Sequence, residues 1–490
     1  MDRFELFHHI KDLIQYSEAY FVGKRYNPFQ VLVSPLYLGI LNESIFNRDG
    51  EQISIAKENN YVQLLKRRIK SIRDQLIYRA SINKYSLKGP VLFFPVEPTH
   101  IIQFKPVWEI FLKKRKPFLI VTNRIHIFRS LKQQYPIIFT ASFRRIKNEQ
   151  EFKELHLLQR QVLTDYELVN QGRLPLKKIH LLLQIHESNA WSLSHQLIEI
   201  MDLVKPVAIV AGYDITYEGR LLTLLAKDRK ISTNCIMHGS ITGEPLDTMH
   251  IVDHFYLFGE AAKKDLISKG TPASQLVVTG APYLDQIEYS NKNIHPLLKK
   301  NILLTESKPY FLIAMSGPGH STSYAHFQVI LENLFAIAAK YPEVQWVIKM
   351  HRKDQIENYK EVLNRYSDHK IHIVKHNEIG FPKSIFQWLQ GATVLLTGTS
   401  TVAVEAMAIG IPVITMDFMK EYKMVDFIDL GSTIHVTNTQ QLEVSVENIV
   451  KKPEVYKSTS KKAAIYASQF FYKSGASASE RIVQYIESDQ

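Results

Sequence analysis

Residues 397–417, TGTSTVAVEAMAIGIPVITMD, place a polar turn, a short apolar helix and a second buried strand in immediate succession. VLL before the turn and PVITM after the helix are β-branched runs bounded by Gly and Pro, the pattern of strands covered on both faces. Between them, Gly398, Thr399, Ser400 and Thr401 are expected to open a helix running from Val402 to Ala408 and stopping at Gly410. Exposed N–H groups at that start, beside three hydroxyls, make a seat for a phosphate. Glu405, four residues past Thr401, shares a helix face with the hydroxyl end and would reach a ribose. A well-capped βαβ crossover with no ligand would read the same way, so the rest of the chain has to decide.

The rest repeats the pattern. After a largely helical first 88 residues, with a strand expected at QVLVS, come VLFFP at 91–95, FLIVT at 118–122 and IIFT at 137–140, separated by helices. Residues 149–203 read as two or three helices broken at 172–175. Strands resume with VAIVA at 207–211, TNCIM at 233–237, HFYLF at 254–258 and LVVTG at 276–280. A polar stretch at 286–309 then reads as a junction, and a second series follows at 310–315, 344–350, 370–374, 394–397, 412–416 and 433–437. Short buried strands alternating with helices imply doubly wound α/β sheets. The expected domains are 1–290, including a helical N-terminal region, and 305–465, with a last helix at 466–490 packing back on the first.

Composition narrows the function. The single cysteine, Cys235, excludes an internal disulfide framework and a Cys-rich zinc site, and in its apolar run it reads as an inert buried thiol. The N-terminus MDRFELFHHIKDL does not read as a signal peptide, and no stretch is apolar enough to span a membrane, so the expected location is cytoplasmic. A net charge of +12 invites an anionic partner: a nucleotide, an acidic polymer or the inner face of an anionic membrane. The densest basic runs, LLKRRIKSIR at 64–73 and FLKKRKPF at 111–118, are either solvated helix faces or a patch for such a surface. No nucleic-acid recognition motif accompanies the charge.

Four polar turns follow expected strands. MSGPGHSTS at 315–323 carries Gly317 and Gly319, which let backbone N–H groups approach a phosphate, with Ser316, Ser321 and Thr322 adding hydroxyls. IKMHRKD at 348–354 ends a strand in Lys349, His351 and Arg352; alternation puts 349 and 351 on one side, suited to a pyrophosphate or to protonating its leaving oxygen. IMHGSITGEPLD at 236–247 brings His238 off a strand end, where an imidazole can take a proton near neutral pH; Glu244 supports or rivals it. AGYDITYEGR at 211–220 offers Asp214, Glu218 and Arg220, and VEPTH offers Glu97 as a further candidate base. No Asp-X-Asp pair occurs, so the positive charge for a diphosphate would come from Lys349, His351, Arg352 and helix N-termini, and metal-independent chemistry is expected, with no cofactor.

At these residues the chain resembles glycosyltransferases of the GT-B architecture, two facing Rossmann-like domains with an interdomain cleft and the donor held by the second. MHGS, DHFYLFGEAAKKDLISKG and VVTGAPYLD look like the first-domain signature of capsule synthesis proteins and teichoic-acid glycerophosphotransferases. In that group a His-Gly turn carries the presumed base and a Lys/Arg-X-His-Pro motif contacts the donor pyrophosphate. His238-Gly239 and Lys349-Met350-His351 match, with Arg352 in place of the proline. GTSTVAVEAMAIGIPVI is similar to the donor-binding helix of GT-B enzymes, which implies phosphate contact by Ser400 and Thr401 and ribose contact by Glu405. The resemblance covers roughly 200–420 and implies a metal-independent inverting glycosyltransferase that moves a sugar from a nucleotide donor to a surface polysaccharide or lipid-linked acceptor, in capsule-type biosynthesis. The same architecture hosts non-hydrolysing UDP-N-acetylglucosamine 2-epimerases, the alternative reading. A non-enzymatic basic scaffold for polymer or membrane is the third.

Overall fold

The computed structural model describes residues 3–22, 24, 27–37, 40, 89–140, 149–170, 172–239, 245–285, 293–315, 317–318, 322–352, 354–368, 370–422, 426–468 and 476–489. The basic run at 64–73 and the candidates Glu244, Ser316, Gly319 and Ser321 lie outside the described residues. The chain divides into two compact units, residues 1–285 together with 475–490, and residues 286–474.

Among the described residues the first unit has seven strands: β1 (Val91–Phe94), β2 (Phe118–Thr122), β3 (Ile137–Phe139), β4 (Ala208–Ala211), β5 (Ser232–Ile236), β6 (His254–Leu257) and β7 (Leu276–Val278). They pair in parallel in the order β3-β2-β1-β4-β5-β6-β7. Val91 sits beside Phe118 on one flank and Ala208 on the other, so the chain reverses its direction of travel across the sheet between β1 and β4. At such a switch point the loops leaving the two strands part in opposite directions and open a crevice at the carboxyl edge. Helices cover both faces, which is why the strands read as unbroken apolar runs. On one face Phe93 meets Phe104, Trp108, Phe111 and Phe118 edge-on at 5.4–6.1 Å, in a core shared with Ile482, Val483 and Ile486 of the last helix, Ala478–Ser488. Each such fully buried side chain is worth about 1.5–3 kcal/mol of transfer free energy. The opposite face carries the long helices Glu149–Asn170 and Leu176–Val204 and the N-terminal helix Arg3–Ser17.

The strand expected at QVLVS is helical instead: Pro28–Val31 forms a turn of helix, with the Asn27 side chain accepting from the Phe29 N–H at 2.9 Å. Asn27 and Pro28 are an N-cap and N1 pair, and that local start signal outweighs the β-branched composition behind it. In the basic run at 111–118 the flanking Phe111 and Phe118 are buried and the cations between them are exposed at and just past the end of the helix Pro98–Lys113, where Lys114 and Lys116 face Glu487 of the last helix at 3.8 and 2.8 Å.

The second unit repeats the plan with β8 (Tyr310–Ile313), β9 (Gln345–Lys349), β10 (Ile371–Val374), β11 (Val394–Thr397), β12 (Val413–Met416) and β13 (Ile434–Val436). All are parallel, in the order β10-β9-β8-β11-β12-β13, so the switch point falls between β8 and β11. The helix after β11 runs Val402–Ala408, as the sequence leads one to expect, and Gly410 ends it with φ of 80°.

Candidate functional site

In the first unit the strand ends around the β1/β4 switch point bring together groups that are far apart in sequence. The turn after β1 supplies Glu97, exposed, and His100, only 1% exposed. Nδ1 of His100 accepts the N–H groups of Val96 and Glu97 at 3.2 and 3.3 Å, so that nitrogen carries no proton. Burial first, and then the neighbouring His238, hold the His100 imidazole down to a pKa of about 3. The turn after β4 passes directly behind this ring at Gly212, where a Cβ would stand 2.1 Å from Nδ1 of His100; only glycine leaves that space.

His238, one residue beyond Met237 at the end of β5, sits between two rings, 4.8 Å from His100 and 4.6 Å from Tyr213, both edge-on. Burial lowers its pKa, His250 adds to that, and Glu97 and Asp247 oppose it. The net result is an imidazole that is neutral near pH 7 and able to accept a proton. The Tyr213 hydroxyl donates to Asp247 at 3.1 Å, and burial together with that carboxylate raises its pKa.

Asp214, expected as a candidate base, is fully buried and committed inside the fold. One oxygen pairs with Nδ1 of His250, and the other accepts the N–H groups of Ile251 and Val252 at 2.6 and 3.1 Å. Burial alone would raise its pKa, but His250, the Ile251 N–H and Arg220 together hold it below the usual carboxylate range. Arg220 is likewise internal, donating to the carbonyls of Gln30 and Met249 at 2.8 and 2.6 Å. Glu218 is buried and pairs with Arg124 at 2.7 Å, at the start of the helix Tyr217–Lys227. Both carboxylates are spent on internal contacts, and neither stands ready for a substrate proton. Asp214, Cys235 and His250 also place three donor atoms within 4.8 Å of one another. With both Asp214 oxygens already accepting hydrogen bonds and the thiol pKa raised by burial, the donor set fits a structural network better than a metal.

The second unit gathers its candidates at the β8/β11 switch point and along the neighbouring strand ends. Lys349 closes β9, and Lys349 and His351, both partly exposed, flank the buried Met350, as strand alternation requires. Val374 of β10 pairs with Lys349, so the chain after β10 leaves the sheet alongside it and carries His376 there. Desolvation, followed by the charges of Lys349 and Arg352, lowers the pKa of His376. Desolvation also lowers that of Lys349, against the pull of Glu405, which is 8% exposed on the helix after β11. Lys349 and Arg352, with the neutral ring of His376 beside them and Glu405 as the nearby carboxylate, make a cationic strand-end patch suited to a diphosphate.

Gly317, expected to let the backbone approach a phosphate, and Gly398, at the helix opening, both sit where a side chain would clash. A Cβ on Gly317 would meet that of Asp354 at 2.9 Å, and one on Gly398 would meet the Tyr422 hydroxyl at 2.4 Å. Tyr422 also bonds Thr322 at 3.0 Å and holds the turns after β8, β11 and β12 together. Thr399 and Ser400 are partly exposed and Thr401 exposed. Ser400 Oγ accepts the Val402 N–H at 3.5 Å, while Thr401 makes no side-chain cap, so its hydroxyl is not used to start the helix. A hollow of about 510 Å³ lined by Met201, Asp202, Lys205, Pro206, Arg229 and Ile231 opens where β4 and β5 begin, at the end of the sheet opposite to His238.

The family model of UDP-N-acetylglucosamine 2-epimerase matches residues 248–487. Among solved structures, a putative UDP-N-acetylglucosamine 2-epimerase from Listeria monocytogenes superposes with a TM-score of 0.55 at 14% identity, covering 82% of this chain and 96% of that one. The S. aureus MnaA–UDP complex gives 0.53 at 14%, covering 81% and 96%. The UDP-GlcNAc 2-epimerase of Methanocaldococcus jannaschii gives 0.52 at 17%, covering 82% and 100%. The fold is that of the GT-B-like epimerases. A processive diacylglycerol beta-glucosyltransferase of Staphylococcus haemolyticus (strain JCSC1435) is 24% identical over 164 residues, 33% of this chain, and the match spans 38% of that relative's length. These matches support the broad architecture rather than the glycerophosphotransferase group in particular.

His100, Tyr213, His250 and His376 are absent from the candidates drawn from sequence. His100 and Tyr213 stand beside residues that were singled out, Glu97 and Asp214. His376 follows β10 in VKHNE, a strand-end histidine of the same kind as His238, and that position is the signal that could have found it.

Proposed function

We propose that this chain is a nucleotide-sugar isomerase of the UDP-N-acetylglucosamine 2-epimerase kind, which was the alternative at the sequence level. What supports the reading most is the run of the 2-epimerase family model through 248–487, a range that includes both arms of the second unit's switch point. Inverting a sugar carbon that carries hydrogen requires the hydrogen to leave as a proton and return from the opposite face. A C2–H bond gives up its proton only if the electron pair has somewhere to go. The adjacent C1–O bond provides it: the pair forms a C1=C2 double bond, and the bond to the diphosphate breaks with its electrons on oxygen. Return of a proton to C2 and of the diphosphate to C1 completes the change. In this reading Lys349 and Arg352 carry the diphosphate charge, His351, His376, Thr399, Ser400 and Thr401 contribute further polar contacts to it, and Glu405 meets the ribose. His238 takes the proton.

Incubation with UDP-N-acetylglucosamine alone in deuterated water tests this. The expected product is the C2 epimer carrying deuterium at C2, seen by NMR; unchanged substrate in the presence of a folded, nucleotide-binding protein would exclude it.

The transferase reading keeps one specific observation, the glucosyltransferase likeness over 164 residues. There His238 would deprotonate an acceptor hydroxyl instead of a carbon, and sugar would move only when a saccharide or lipid-linked acceptor is added. Among the described residues no helix is long and apolar enough to cross a membrane.

A further inference from the structure

We propose that the turn after β1 is a positioning element for His238, with His100 as its main residue: wedged into the space left by Gly212, His100 fixes the His238 ring edge-on in the form that accepts a proton. The proposal rests on the reading of His238 as the proton-accepting group, and goes beyond it by naming what prepares that group. His100 has a fixed tautomer, because its Nδ1 already accepts two backbone N–H groups, and it is all but excluded from water. Its position leaves little room for adjustment, because Gly212 closes the socket from behind. A fixed neutral ring packed at 4.8 Å against His238 excludes water from one side of that imidazole and gives it no anion to stabilise a positive charge.

The same turn carries the opposing influence. Glu97, three residues before His100 and exposed, favours the protonated form of His238. The other titratable groups facing His238 are Tyr213 from the turn after β4, and Asp247 and His250 from the segment leading into β6. Of all these, only His100 is locked by backbone on one side and by a glycine on the other. His100 does not itself meet substrate in this scheme; it acts through His238.

The test reads His238 directly. In the full-length protein with 13C-labelled histidine, the ring signal lost in His238→Asn identifies the residue, and its titration midpoint is measured without substrate. In His100→Asn, whose amide oxygen can still accept the Val96 and Glu97 N–H groups, the midpoint is expected to rise by about half a pH unit or more, and the acidic limb of kcat/KM to move with it. In Gly212→Ala the displaced His100 ring gives a rise in the same direction. Glu97→Gln, which removes the charge but keeps an amide oxygen at the N-cap of the helix Pro98–Lys113, is expected to lower the midpoint. A midpoint that is the same in His100→Asn as in the parent protein overturns the proposal, as does one unmoved by Gly212→Ala if the His100 variant does not fold. If the midpoint moves while the acidic limb stays where it was, His100 does position His238, and it is the assignment of His238 as proton acceptor that falls.

Discussion

Asp214 shows how a charged residue at a strand end can be mistaken for a reactive one. Its carboxylate is surrounded by donors, with His250 on one oxygen and the Ile251 and Val252 N–H groups on the other, so its negative charge is stabilised where it stands. Removing one partner of such a buried pair leaves the other unpaired, at a cost of roughly 3–5 kcal/mol. Asp214→Ala should therefore lower the chemical-denaturation midpoint of the first unit strongly, and Asp214→Asn less. The folded carboxyl titrates below the range of an unfolded aspartate, so its contribution is fully present above that range and disappears as pH falls through the folded value. The stability gap between the parent protein and Asp214→Asn should accordingly be constant near neutrality and narrow below about pH 4. His238, only partly buried, differs because it has rings for neighbours where Asp214 has hydrogen-bond donors.

At the scale of elements, the last helix illustrates a docking that local sequence cannot announce. Its own N-terminus is well capped, with Ser477 Oγ accepting from Glu480 N–H at 3.2 Å and Glu480 accepting from Ser477 N–H at 2.9 Å. Besides its apolar face and the Lys114 and Lys116 contacts of Glu487, the helix is held to the first unit at its start by Asp285, whose two oxygens accept the Ala478 and Ser479 N–H groups at 3.0 and 2.8 Å. Asp285 is the residue after which the chain leaves that unit, and the helix begins just after the chain has returned. Asp285→Ala should cost about 1–2 kcal/mol, the value of a charged cap. The loss should be local: hydrogen exchange in 478–488 accelerates, while β1 and β4 keep their protection. Uniform acceleration across the unit would mean that the helix is part of one cooperative core with them. The turns of the second unit behave alike, since Tyr422 holds three of them from a space that Gly398 leaves open.

For the whole molecule, two sheets with the same 3-2-1-4-5-6 ordering, one extended by a seventh strand, carry different chemistry at their switch points. The first concentrates neutral rings and buried carboxylates, the second hydroxyls and cations. A nucleotide diphosphate held by the second should protect the amides after β8, β9 and β11 from exchange. At a hundredfold excess over its dissociation constant it stabilises the unit that binds it by about 2.7 kcal/mol. Addition of UDP in a peptide-resolved exchange experiment is expected to slow residues 310–315, 345–352 and 394–408; protection confined to the strand ends of the first unit would move the nucleotide there.

Much of this was legible in the chain itself. The strand series, the break near 172–175 and the helix 402–408 follow from hydrophobic runs and their Gly and Pro boundaries, because a strand covered on both faces must be apolar throughout and a helix start needs polar caps. The strand-end positions of His238 and Lys349 were legible for the same reason: each is a polar residue at the edge of a buried run. Which of the polar residues are reactive was not. Asp214 and Glu218 look as available as His238 in one dimension, and His100 and His376 drew no attention. Availability is a matter of who the neighbours are, and His250, Arg124, Gly212 and Val374 reach those residues only when strands distant in sequence lie side by side. Sequence determines where a strand ends and what stands there; the pairing of strands decides whether that group is spent on holding the fold or left to meet a ligand.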